Sequence, residues 1–204
     1  MRNASDWCRI LMECHVKPAV AVQWGDVFAD VVNPGSFSKG DADLEDFLGQ
    51  VLHESQGLTH LSENLNYSAE RLMVIWPKRF PNMATASLYA HNPIKLANFV
   101  YGGRLGNDED GDGWLYHGRA PLQITGKANY EKVGTLMGQD LVSLPELLEQ
   151  PHFALEACIA WWEGNIPDDM LGDPERVTKR VNGGLIGLAD REELTGLAGS
   201  ALDV

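Results

Sequence analysis

No stretch of this 204-residue chain approaches the roughly 20 consecutive apolar residues of a membrane-spanning helix, so stable insertion into a bilayer is not expected. Cysteine is scarce. Cys8, Cys14 and Cys158 are odd in number and form no C-x-x-C pair, which argues against a disulfide framework and against a zinc site. Cys158 lies in the apolar run from Phe153 to Trp162 and reads as a small core residue. Basic residues are also few, 16 Lys and Arg against 29 Asp and Glu. A formal net charge of -13 disfavours nucleic acid, whose phosphates need clustered cations, and offers no long-range attraction to an anionic cell surface. The start, Met1-Arg2-Asn3-Ala4-Ser5-Asp6-Trp7, lacks the basic, apolar and small-residue segments of a secretory signal. Synthesis in a cytoplasm is the corresponding expectation. No repeat, linker or low-complexity stretch divides the chain, so a single domain over 1–204, acting as a monomer, is expected.

What the chain has is helix punctuation. Asp43, before Leu44 and with Glu45 and Asp46 following, marks the start of a helix leading to Glu54. Ser68 caps a helix through Leu72 and Ile75 that Pro77 stops, and Asn92-Pro93 opens another that Gly102-Gly103 closes. Further helices are predicted near 126–137, 151–163, 174–182 and 189–201; Asp173-Pro174 and Gly183-Gly184 mark the ends of the third. The fold class is mostly α. The exception is 103–125, read as a Gly- and Asp-rich surface loop followed by a short β-ribbon feeding a helix at Gly126. Asp108-x-Asp110-x-Asp112-Gly113 begins like a calcium loop, but Arg119 occupies the position that requires a bidentate Glu, so no metal is expected. Trp76, Trp161 and Trp162 stand among apolar neighbours at helical spacing and read as core.

Two carboxylates give the chain its chemistry. Glu54, in His53-Glu54-Ser55-Gln56-Gly57, lies at the margin of the stripe formed by Leu44, Phe47, Leu48, Val51 and Leu52. Half-burial there would raise its pKa and keep it protonated. Glu63, in Leu61-Ser62-Glu63-Asn64-Leu65-Asn66-Tyr67, falls among polar residues that favour the ionised form. A protonated and an ionised carboxyl facing one groove are what glycosidic bond hydrolysis requires. Spacing alone is a weak signal in so acidic a chain.

Four blocks in order strengthen it: His53-Glu54, then Ser62-Glu63-Asn64, then Arg119-Ala120-Pro121-Leu122-Gln123-Ile124-Thr125-Gly126 with Asn129-Tyr130, and last Val181-Asn182-Gly183-Gly184. Together they resemble glycoside hydrolase family 19, the family of chitinases and many bacteriophage endolysins, over about residues 41–195. The short gap between the two Glu looks like the endolysin branch. Ala120 stands where the family commonly has Gly. The resemblance implies a lysozyme-like fold of two helical lobes around a cleft, and an inverting mechanism without metal or organic cofactor. Glu54 would be the general acid, Glu63 the general base, and Thr125 the hydroxyl that helps hold the attacking water. Inversion needs the two carboxyl groups roughly 6.5–9.5 Å apart to admit that water. Gln123, Asn129 and Asn182 match positions that hydrogen-bond the sugar chain, and Tyr67 lines the same motifs as a candidate substrate contact. His53 and Arg119 are taken as supporting residues, and Arg191 as a cation near the second Glu.

The activity so implied is that of a muramidase cleaving β-1,4 bonds of peptidoglycan, acting on the cell wall once the inner membrane is breached. A chitinase keeps the same chemistry on another polymer. A lytic transglycosylase, echoed by Glu54-Ser55 and Gln123-Ile124, or a polysaccharide-binding module without turnover, are the further alternatives.

Overall fold

The computed structural model describes residues 1–203. Eleven α-helices run in the order α1 (Ala4–Glu13), α2 (Pro18–Val31), α3 (Asp41–Glu54), α4 (Ala69–Ile75), α5 (Met83–Ser87), α6 (Pro93–Tyr101), α7 (Asp112–Leu115), α8 (Lys127–Met137), α9 (Pro151–Asn165), α10 (Pro174–Asn182) and α11 (Leu188–Leu202). Short polar side chains start several of them, because the first N–H groups of a helix have no internal partner. Ser68 accepts from Arg71 N, Asn92 from Lys95 N and Asp173 from Arg176 N. Gly183 closes α10 in the left-handed region at φ 75°, where a residue without Cβ meets no strain. One cap differs from expectation. Helix α3 begins at Asp41 after Gly40, and Asp43 is buried instead, accepting hydrogen bonds from Trp162 Nε1 at 2.5 Å and Ser38 Oγ at 3.1 Å.

Two hydrophobic clusters divide the molecule into lobes. The larger gathers α1, α2, α3, α8, α9 and α11 around Trp7, Trp24, Phe28, Phe47, Tyr130 and Trp162. Cys158 is fully buried in it, and burial pushes its thiol up to about 12. The smaller comprises Leu65, Ala69, Leu72, Phe80, Ala86, Leu96, Ala97 and Val100, with Tyr67, Trp76, Tyr101 and Trp114 packed against it. Each fully buried large apolar side chain is worth about 1.5–3 kcal/mol, so these eight residues give the smaller lobe little reserve of its own. Trp76 and Trp162 pack in the two cores as expected, with Trp76 edge-on to Tyr67 at 5.8 Å. No helix of the described residues is long and apolar enough to cross a membrane.

The expected β-ribbon at 114–125 is not formed. Trp114 and Leu115 belong to α7 instead, and only isolated bridges occur, Ser62 with Arg119 and Arg119 with Ile124. The cause is local. Ala120 and Gln123 take positive φ, 59° and 54°, and Pro121 has no N–H to donate, so 119–124 folds into a tight turn before a ladder can extend. That turn still accomplishes what a ribbon would. Glu63 N donates to Gly118 O at 2.8 Å and Ala120 N to Leu61 O at 2.9 Å, which lays the Glu63 segment against the segment leading to Thr125.

Candidate active site

Helix α3 supplies the first half of the site. Gln50 and Glu54 lie four residues apart and so share one face, on which α11 packs closely; a Cβ on Gly49 would collide with Thr195 Oγ1. Arg191, in the first turn of α11 and 1% exposed, bridges both: Nη1 donates to Gln50 Oε1 at 2.5 Å and Nη2 to Glu54 Oε1 at 2.5 Å. Gln50 Nε2 continues the network to the buried Thr178 hydroxyl at 3.2 Å. Burying a guanidinium is costly unless it is paired and hydrogen-bonded, and both conditions are met. Among the described residues Glu54 Oε2 has no hydrogen-bond partner and is left for a ligand.

Glu63 has a different setting. Tyr101 Oη donates to Oε1 at 2.7 Å and to Oε2 at 2.9 Å, and Gly118 N approaches Oε2 at 3.4 Å. Burial pushes this carboxyl above its ordinary value, while the Tyr101 and Gly118 hydrogen bonds pull it back. Gly118 is required by crowding. A Cβ there would come within 2.7 Å of Gln123 Oε1, 3.2 Å of Thr125 Oγ1 and 3.3 Å of Glu63 Oε2. Those three side chains therefore converge on one point above the backbone of residue 118. Thr125 Oγ1 donates to Gln123 O at 2.9 Å, which leaves its lone pairs free to accept from a third group, such as water.

Two sequence expectations are corrected here. Glu63 does not sit in a polar loop that lowers its pKa; the smaller lobe covers it, and burial raises it. Arg191 does not stand beside Glu63. It pairs with Glu54, because α11 docks on α3.

The remaining expected residues divide between the site and its frame. Gln123 is held by its own turn, Nε2 donating to Ala120 O at 3.2 Å, with Oε1 turned to Gly118. Tyr67 is half-buried in the smaller lobe, and burial together with the Glu63 charge raises its phenol. Asn129 Nδ2 donates to Thr125 O at 2.7 Å, which fixes the entry of α8 and leaves only its oxygen for a sugar. Asn182 is exposed at the end of α10, and no contact joins it to the Glu63 cluster. His53 is a support: Nδ1 contacts Asp190 Oδ2 at 2.5 Å, and its ring covers Gly187 so closely that a Cβ there has no room. Arg119 is buried away from both carboxylates, donating to Glu149 Oε1 at 2.6 Å, Leu115 O at 2.7 Å and Tyr130 Oη at 3.0 Å. Its part is to shape the turn.

Sequence reasoning missed Tyr101, Gln50 and His117. His117 Nδ1 contacts Trp114 O at 2.5 Å, so that nitrogen carries the proton, and Nε2 accepts from Ser62 Oγ at 3.0 Å. Burial lowers its pKa, in keeping with a neutral ring stacked on Trp114 that props up the segment next to Glu63. No local signal marks Tyr101, the last residue of α6 before Gly102-Gly103. Among the described residues no group of three or more His, Cys, Asp or Glu is placed to hold a metal ion. Asp112, from the calcium-like run, pairs with Lys127 at 3.3 Å and accepts from Glu109 N at 3.1 Å.

Residues 107–169 match the family model described as chitinase class I, glycoside hydrolase family 19. A glycosyl hydrolase family 19 domain-containing protein of Haemophilus influenzae is 38% identical over 150 residues, covering 72% of this chain and 74% of that protein. Acidic endochitinase Q of Nicotiana tabacum is 54% identical over 33 residues, 16% of this chain and 13% of its own length. Among solved structures, chitinase C from Streptomyces griseus HUT6037 superposes with a TM-score of 0.57 at 14% identity, covering 99% of this chain and 92% of that one. A bacterial family 19 chitinase gives a TM-score of 0.51 at 19% identity, covering 97% and 94%.

Proposed function

This chain belongs to glycoside hydrolase family 19 and is a glycoside hydrolase acting on a polysaccharide, and from that premise we propose that it cleaves β-1,4 bonds of bacterial peptidoglycan with inversion, as a phage or prophage endolysin. The observation that carries the mechanism is the convergence of Glu63, Gln123 and Thr125 over Gly118. A water at that point would donate one proton to Glu63 and the other to Thr125 Oγ1. Its lone pair would then be free for the anomeric carbon. A carboxylate that burial has made more basic, yet that two hydrogen bonds keep ionised, suits this role. Glu54 Oε2 would deliver a proton to the leaving sugar oxygen. Arg191 then faces the anion that forms, so the charge developing on Glu54 is stabilised by a buried cation already in place.

The polymer is the finer part of the proposal. The two Glu in Glu54…Ser62-Glu63-Asn64-Leu65 stand nine positions apart, and the cysteines are free, both in keeping with the endolysin-like reading. The names of the plant and Streptomyces relatives favour chitin as the second reading. Digestion of purified peptidoglycan and of chitin side by side, with mass spectrometry of the released ends, separates the two. Reducing ends from peptidoglycan are expected. Ends lighter by one water would replace hydrolysis with transglycosylation, and chitin fragments alone would replace the polymer. Proton NMR of the first product formed should show the α anomer; a β anomer would remove the inverting scheme.

A further inference from the structure

Tyr101 joins the two lobes at the reacting carboxylate. It is the last residue of α6 and packs on the smaller hydrophobic cluster, while the main chain of Glu63 is anchored to Gly118. Its place is fixed from behind as well. Asn107, 1% exposed, donates from Nδ2 to Tyr101 O at 3.0 Å and accepts from Lys127 N at 2.8 Å, so the end of α6 is tied to the start of α8, two residues past Thr125. The phenol therefore meets the carboxylate on a frame shared with the water-holding hydroxyl.

We propose that Tyr101 is a positioning residue of the dyad: its hydroxyl, shared between both oxygens of Glu63, sets the carboxylate plane toward Gly118 and Thr125 and holds it ionised for water activation. The inference rests on the hydrolase reading given above. One O–H cannot satisfy two oxygens fully, and at 2.7 and 2.9 Å it is balanced between them. The carboxylate is thus held by its centre and cannot swing. Once Glu63 takes the water's proton, one of these oxygens becomes an O–H and the shared bond weakens, so Tyr101 favours the ionised state at the start of each cycle. The groups that face Glu63 are Tyr101 from α6, Gly118 N and the Thr125 and Gln123 side chains from the turn, with the phenols of Tyr67 and Tyr130 beyond them. The Arg104 charge also acts on Tyr101. Among the described residues Tyr101 is the one direct side-chain donor to this carboxylate, so its loss has no substitute there.

The test is Tyr101→Phe in the full chain, assayed across pH on whichever of peptidoglycan and chitin the unaltered protein cleaves. Removing the donor should lower kcat about tenfold at the plateau with KM within about twofold, and should move the acidic limb of kcat/KM upward by about one pH unit. Thermal melting reports whether the fold is kept. Tyr89→Phe, in the same lobe, leaves Glu63 untouched and should keep the limb where it is. An unchanged limb in Tyr101→Phe overturns the proposal, whether or not the rate falls, since a merely structural role would alter rate and melting without moving the limb. Glu63→Gln separates the two levels. If that variant stays active, the hydrolase scheme itself fails; if it is dead while Tyr101→Phe behaves as the parent, only the role of Tyr101 fails.

Discussion

Glu54 and Glu63 are both half-buried carboxylates on one chain, yet they are held by opposite means. Glu54 belongs to the larger lobe and answers a buried guanidinium, with Gln50 and Thr178 completing the network. Glu63 sits between the lobes and is held by a phenol and a backbone N–H, while burial works against its charge. The difference fits the two jobs proposed for them. A proton donor gains from a cation that welcomes the anion it becomes, whereas a proton acceptor gains from weak neutral donors that orient it without quenching its basicity.

The comparison breaks most visibly at Glu54→Gln, which keeps the shape and the Arg191 contact but has no proton to give. Turnover should fall by about 10²–10⁴-fold, with binding of sugar oligomers retained by calorimetry. Wild-type rates in this variant remove Glu54 from the chemistry. Arg191→Met tests the cationic side next. It leaves Glu54 and Gln50 facing an apolar chain, at a cost of about 3 kcal/mol in denaturant unfolding. Combining it with Glu54→Gln should recover part of that loss, because no charge then stands unpaired; purely additive losses would mean that the pair does not couple. Thr125→Ala probes the neutral side, where loss of one water contact should cost about 10–100-fold in kcat with little change in KM. The smallest effect belongs to Ala120→Gly. Relief of a left-handed alanine gains about 1 kcal/mol and loss of a fully buried methyl costs about 0.8 kcal/mol. Melting within about 2 °C of the parent is expected, which also explains how this chain carries Ala at that turn.

Particular residues show how far the sequence could be read. Ser68, Asn92-Pro93 and Asp173-Pro174 marked helix starts correctly, because a cap acts within three residues of itself. Glu63, Gln123 and Thr125 were picked from separate blocks, and the fold brings them over Gly118. Trp114 to Thr125 has the composition of a ribbon but does not form one, because of a positive φ at Ala120 and Gln123 that leaves no mark in residues other than Gly or Asn. Arg191 pairs with Glu54 and not with the second Glu, since its partner depends on which helix α11 packs against. Tyr101 escaped notice altogether, as nothing around it in the chain distinguishes it from a helix-closing core residue.

The order of amino acids thus determined helices α3, α4, α6 and α8 to α11, the two candidate carboxylates and the candidate hydroxyl, all of which follow from side-chain type and from interactions reaching a few residues. Only the tertiary structure decided how Glu63 is desolvated, which carboxylate receives the guanidinium and which phenol hydrogen-bonds Glu63. Those are properties of neighbours 38 to 137 positions away in the chain, and electrostatics in a protein is set by distance in space and exclusion of water, neither of which is written along the sequence.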